Sequence, residues 1–148
     1  MRDVVTEYYE AVNDHDWLKL ASTLSEHVVR IGIRSDFDDD TVRGRDLYMQ
    51  FCESILSSFE YHTMEIIAVF YSPDARFACA ETVETLQEPG KERMRLHCLK
   101  SHEMDENGLI VRIDQYRKAS PEVTPASITV GAVLSDCSTP AGGTTPDR

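Results

Sequence analysis

The chain has 148 residues, 41% hydrophobic and 28% charged, with 26 acidic against 15 basic side chains and a formal net charge of −11. That length suits one domain, and the balance fits neither a disordered chain nor a membrane one, since no apolar run approaches the roughly 18 to 20 residues of a spanning helix. The acidic excess argues against a nucleic-acid face, which needs clustered Lys and Arg.

The opening "MRDVVTEYYEAV" mixes charges into an amphipathic pattern from the third residue and shows no apolar leader core, so a soluble, cytoplasmic protein is expected. Within it Val4, Tyr8 and Ala11/Val12 recur at helical spacing. "NDHD" then breaks the pattern with side chains suited to capping, and "WLKLASTL" resumes it through Trp17, Leu20/Ala21 and Leu24. "HVVRIGI" is short and β-branched, as a strand requires, and "RSDFDDD" reads as a solvated acidic loop. "GRDLYMQFCESILSSF" places Leu47/Tyr48, Phe51, Ile55 and Phe59 on one stripe behind Gly44, a third helix.

After that the period changes. "TMEIIAVFY", "ARFACAETVETLQ", "ERMRLHCLKSHEM" and "LIVRIDQYR" are strand-like, and "SPDA", "EPGK" and "DENG" between them are turn signals too short for crossover helices. A four-stranded antiparallel meander is expected. From Ala119 the composition shifts to Pro, Ser, Thr and Gly; "ASITVGAVL" could add an edge strand over 126–134, followed by a disordered tail. The division is thus a domain over 1–118 and an extension over 119–148.

Cys52, Cys79, Cys98 and Cys137 form no CxxC pair and read as buried small hydrophobes, while the five histidines show no HExxH or comparable spacing. Neither a metal nor a cofactor is expected. No phosphate loop, dinucleotide fingerprint or nucleophile elbow is present.

The element order, carried by "EYYEAVNDHDWLKLASTLSEHVV", "VRGRDLYMQF" and "MDENGLIVRIDQYRK", resembles the nuclear transport factor 2-like superfamily over residues 1–118, and within it the SnoaL-like polyketide cyclase and ketosteroid isomerase branch. The resemblance implies an α+β fold in which three helices pack into a curved antiparallel sheet and leave a conical pocket. It matches Tyr8 to the first-helix tyrosine that donates to a substrate oxyanion in ketosteroid isomerases. It sets Gly32, flanked by Arg30 and Arg34, where those enzymes keep their general-base aspartate, and Lys100 where they keep a protonated aspartate. Gln115 falls where epoxide hydrolase relatives carry a last-strand aspartate. The chemistry of those relatives therefore does not carry over intact.

One parity of "RMRLHCLKSHEMDENG" holds Leu96, Cys98, Lys100, His102 and Met104, a mostly apolar face with a lysine and a histidine in it. If Pro89 and Gly90 are the two turn residues of "EPGK", Glu81 opposes Cys98, Cys79 opposes Lys100 and Phe77 opposes His102. Glu81 then lies diagonal to Lys100, and a slip of one residue would exchange Glu81 for Thr82 or Ala80. Charges on such a face need partners. They form either a structural ion pair with a rim histidine, or acid/base equipment: His102 as proton carrier, Lys100 or Arg30 holding an oxyanion, Glu81 orienting them. The candidate catalytic residues are His102, Glu81, Lys100 and Tyr8. Arg30, Trp17, Tyr48, Phe51, Phe77, Cys98 and Gln115 are the candidate substrate-binding residues.

Two function classes follow. One is a cofactor-independent cyclase, isomerase, dehydratase or epoxide-opening enzyme acting by general acid/base catalysis on a small hydrophobic, polyketide-like metabolite. The other is a non-catalytic ligand-binding or protein-interaction module, which a closed cavity below roughly 300 Å³ would favour. Ala78, Ala80, Leu99, Arg112, Asp114 and Tyr116 on the opposite parity suit a sheet packed on another sheet, and a homodimer through that outer face is expected.

Overall fold

Two capping aspartates set the first helices. Asp3 accepts from the Thr6 N–H at 3.0 Å and opens α1, Val4–Asp14, while Asp16 accepts from the Lys19 N–H at 2.9 Å and opens α2, Trp17–Thr23. Each oxygen satisfies an N–H that the first turn leaves unpaired, worth ~1 kcal/mol. Between them His15 adopts the left-handed conformation at φ 54°, and its N–H turns back to the Ala11 and Val12 carbonyls. The "NDHD" break is therefore an end and a start placed back to back. Gly44, at φ 89°, precedes α3, Arg45–Ser57.

The computed structural model describes residues 3–32 and 41–118. The acidic loop, the 126–134 edge strand and the tail expected from sequence lie outside the described residues. Among those described, three helices are joined by six strands: β1, Leu24–Ile31; β2, Thr41–Arg43; β3, Tyr61–Tyr71; β4, Phe77–Gln87; β5, Met94–Met104; and β6, Ile110–Arg117. They form one sheet in the order β2-β1-β6-β5-β4-β3. The fold is α+β, with the helices against the concave face of a curled, open sheet.

The meander β3 to β6 is antiparallel as expected, but the sheet is mixed. β1 runs parallel to β6, with Arg30 opposite Ile113, and the short β2 extends the far edge. A parallel neighbour needs a long connection, which the intervening helix and meander supply. Register shifts between Ile66 and Ala68 and between Glu103 and Met104 insert extra residues that bend the strands. The buried core fills the resulting concavity: Val5, Tyr9 and Val12 from α1, Leu20 from α2, and Val28, Ile110 and Ile113 from the sheet.

The β4–β5 register departs from the sequence expectation by one residue. Ala80 stands opposite Lys100, Ala78 opposite His102 and Glu84 opposite Leu96, so Glu81 pairs with Leu99 instead of Cys98. The turn does close where expected, with the Lys91 N–H donating to the Glu88 carbonyl at 3.0 Å and Gly90 at φ 70°. Pro followed by a positive-φ glycine is the signature of a type II turn, whose twist opposes that of a hairpin. The ladder accordingly starts only at Leu86–Met94, and the extra residue on the β5 side shifts every pair. Ala78, at 4% exposure, and Ala80, at 0%, therefore face the core, and Glu81 faces out.

Candidate functional site

The concave parity of β5 is as the sequence indicates. Cys98, Lys100, His102 and Met104 are all buried, and Lys100, at 2% exposure, is among the largest fully buried side chains. What shares the face with Lys100 is decided by the β4 register: Thr82, Glu84 and Leu86 point inward. Glu84 Oε2 lies 3.8 Å from Lys100 Nζ, and Glu84 Oε1 lies 2.8 Å from His62 Nε2 on β3. A carboxylate only accepts, so the His62 Nε2 carries the hydrogen. The His62 ring stacks on Phe59 at 5.8 Å, which fixes its plane.

Met64, opposite Glu84, brings its sulfur to 3.3 Å from Lys100 Nζ. Asn13 at the end of α1 holds this stretch of edge strand, with its amide donating to the Met64 carbonyl and accepting from the Met64 N–H, both at 2.7 Å. A side-chain amide thus replaces the missing neighbour strand. Tyr9 completes the surroundings of Lys100, its ring centroid 5.7 Å from the ammonium.

Of these groups Glu84, Met64 and Lys100 border a cavity of about 190 Å³ between α1, α3 and the sheet. Tyr8, Arg30, Tyr48, Phe51, Lys100 and Gln115, six of the sequence-predicted residues, lie on its wall. Tyr8 and Tyr48 share a short hydroxyl–hydroxyl hydrogen bond, and Arg30 stacks its guanidinium 4.7 Å over Phe51. Glu84 is also on the wall, with apolar Val12, Ile55, Leu86 and Leu96. A wider depression of about 650 Å³ lies elsewhere, around the turns at 72–76 and 105–108, and none of the polar groups above borders it.

The other predicted residues stand apart. Glu81 makes an ion pair with Lys118 at 3.6 Å on the outer face, and Phe77 is 53% exposed on the same side, both because of the register shift. Trp17 stacks on His15 at 5.3 Å, away from the cavity. Cys98 is buried on the concave face without bordering the cavity. His102 sits in the core at 1% exposure, 3.3 Å from the Tyr9 hydroxyl and edge-on to both Tyr8 and Tyr9. Sequence reasoning missed Glu84 and His62. The signal available for Glu84 was the pair of glutamates in "ETVET", which lie on opposite parities and so exchange places under a one-residue slip.

The electrostatics separate these groups. Burial pushes Glu84 upward, but the His62 hydrogen bond and the charges of Lys100 and Arg30 outweigh it, so the net shift is downward and the carboxylate stays ionised at neutral pH. Burial and then the Lys100 charge depress His102 to about 4, leaving it neutral. Burial raises Tyr8 and Tyr48, which remain protonated. An ionised carboxylate, a lysine and two hydroxyls on an apolar wall can transfer a proton and stabilise negative charge on oxygen.

An α+β cone with such a cavity is an architecture that hosts many chemistries. A model of the SnoaL-like domain matches residues 5–113, and the chain belongs to that family. No curated protein sequence matches it. Among solved structures it resembles a candidate polyketide cyclase from Xanthomonas campestris pv. campestris at 20% identity, covering 78% of this chain and 87% of that one with a TM-score of 0.67. It also resembles an LEH-like epoxide hydrolase from Mycobacterium tuberculosis at 16% identity, 78% and 80% coverage and a TM-score of 0.64. A third, SalBIII, an epoxide hydrolase/cyclase-like enzyme of pyran ring formation in the polyether salinomycin, aligns at 15% identity, 78% and 88% coverage and a TM-score of 0.67. At these identities the likeness is one of fold. Among the described residues no helix is long and apolar enough to cross a membrane.

Proposed function

We propose that this protein is a cofactor-independent cyclase or isomerase of the cytoplasm that moves a proton on a small, largely apolar metabolite. The observation that carries this reading is the Glu84–Lys100 pair, buried on the wall of an otherwise apolar cavity. Glu84 is the base and the Tyr8–Tyr48 pair donates to the oxygen on which negative charge develops. Because its pKa is lowered, Glu84 is a weak base, which suits a carbon acid already activated by a carbonyl. Dehydration or epoxide opening would use the same groups.

Exchange of the α-protons of 2-tetralone in D2O, followed by 1H NMR, tests the reading. The wild type is expected to accelerate exchange, Glu84→Gln to lose about 10²-fold of that, and Glu81→Gln to lose none. Equal rates in wild type and Glu84→Gln would remove Glu84 from the role.

One observation favours a second reading, a non-catalytic binding module: the cavity of about 190 Å³ is below the roughly 300 Å³ at which ligand pockets commonly begin. Under it no variant changes exchange, because the wild type shows none above buffer.

The outer sheet face supports a homodimer. Phe70 (65%), Phe77 (53%), Leu99 (46%) and Tyr116 (58%) are exposed there across four strands, a larger apolar surface than isolated side chains account for. Sedimentation at micromolar concentration should give twice the chain mass, and Leu99→Glu should return it to one; a single-chain mass for the wild type rules the dimer out.

A further inference from the structure

Lys100 is a buried charge in the cavity with weak and distant partners. It is 2% exposed, its hydrogen-bond partner among the described residues is a thioether sulfur at 3.3 Å, and the carboxylate oxygen paired with it is 3.8 Å away. Sulfur is a weak acceptor, and an ammonium has three hydrogens to place. Glu84 comes no closer than this, its Oε1 taking the His62 N–H at 2.8 Å while its Oε2 stands 3.8 Å from the ammonium. A cation taken from water costs several kcal/mol unless oxygen acceptors replace its hydration. The ammonium borders the cavity, so the missing acceptor belongs in the cavity space.

The rest of the wall describes that acceptor's carrier. Arg30 adds positive potential, felt at Glu84, Tyr8 and Cys52. Gln115, opposite Lys100 in the β5–β6 ladder, borders the same space with an amide that can donate. Phe51, Leu86 and Leu96 are apolar, and about 190 Å³ is roughly the space of six liquid waters. A neutral carbonyl would fill the acceptor position, whereas a carboxylate fills it with the stronger, charge-assisted bonds to an ammonium whose paired carboxylate oxygen stands 3.8 Å away.

We propose that the cavity binds a compact monocarboxylate, its oxygens accepting from Lys100 Nζ and its apolar body lying against Phe51, Leu86 and Leu96. This rests on the reading of the cavity as the functional site and adds that the substrate is an organic acid. The Tyr8–Tyr48 hydroxyls then remain for the reacting oxygen, and Lys100 anchors the end of the molecule that does not react.

Benzoate, benzamide and acetophenone share a ring and differ at the group that would meet Lys100. Titrating each into the full chain at pH 7.5 and low salt, with the amide signals of Leu96 and Gln115 as reporters, should show benzoate binding at least about tenfold tighter than the neutral pair. Lys100→Arg should keep that preference, and Lys100→Met should abolish it. Benzamide or acetophenone binding as tightly as benzoate overturns the carboxylate class, as does benzoate binding unchanged in Lys100→Met; acetophenone binding alone leaves the cavity reading standing. If none of the three moves these signals, the carboxylate class and the cavity reading fall together.

Discussion

Glu84→Leu is expected to cost about 3–5 kcal/mol of stability, and the double variant Glu84→Leu/Lys100→Met to recover about 1–2 kcal/mol of that loss, the His62 N–H staying without its acceptor in both. The single change strips the Lys100 ammonium, 2% exposed, of its counter-charge and leaves the buried His62 N–H without an acceptor. The double change removes the charge that needed compensating and leaves side chains of similar size on an already apolar wall. A buried ion pair contributes little net stability when both partners are present, because desolvation offsets the attraction; breaking it exposes the full desolvation cost. Urea unfolding of the wild type, both single variants and the double at pH 7.5 gives the coupling directly, expected at about 1–3 kcal/mol. Additive losses would show that Lys100 and Glu84 do not sense each other. Glu84→Gln keeps an acceptor for His62 and so serves the exchange experiment better than a hydrophobic substitution does.

Acid should destabilise the protein through His102. Its folded pKa of about 4 lies below the ordinary 6.5, so between those values the unfolded chain binds a proton that the folded chain refuses. The stability tied to neutral His102 is fully present above pH 6.5, declines as pH falls toward 4, and changes no further below that. Between pH 7 and pH 5 the expected loss from this group is about 2 kcal/mol. The cause is placement: the ring is 1% exposed, packed edge-on to Tyr8 and Tyr9, with the Lys100 ammonium opposing any further positive charge. Asp3, Asp74 and Glu84, all held below their usual values, lose stabilising interactions in the same direction at lower pH. His102→Gln, which keeps a polar partner for the Tyr9 hydroxyl, isolates the histidine's share. The variant should lose about 2 kcal/mol less than the wild type between pH 7 and pH 5, and parallel pH profiles would refute the depressed histidine.

The same placement changes what His102 can do. A histidine near neutral pKa at a cavity mouth exchanges protons, whereas one that stays neutral until about pH 4 inside the core is a packing and hydrogen-bonding group. The lysine two residues earlier borders the cavity, whereas His102 is packed edge-on against Tyr8 and Tyr9 of α1. Both side chains share one parity, and parity does not say how deep along the cone each one sits.

Much of the architecture follows from patterns a few residues long. The apolar spacing of "VVTEYYEAV" and "RDLYMQFCESILS", the caps at Asp3 and Asp16 and the turns around Gly90 and Gly108 act locally, so helices, meander and the inward parity of β5 can be read directly. Tyr48 and Phe51 are legible for the same reason, whereas the role of Tyr8 and the choice of Arg30 come from the superfamily resemblance. The partner of Lys100 is not local. "FACAETVETLQ" offers Ala, Thr, Glu and Leu on one parity and Phe, Cys, Glu, Val, Thr and Gln on the other, so hydrophobic contrast does not choose the face that turns inward. The choice falls to the single extra residue after the Pro89–Gly90 turn, whose twist does not match the strands it joins. That residue exchanges Glu81 for Glu84, and β3, packed across the next ladder, adds His62 to it. The sequence by itself determined the helices, the meander and the inward-facing lysine; only the tertiary structure decided the short β2 edge, the parallel β1–β6 pairing and which carboxylate answers the lysine, because strand pairing and register are settled between strands and one residue of slip reverses every face.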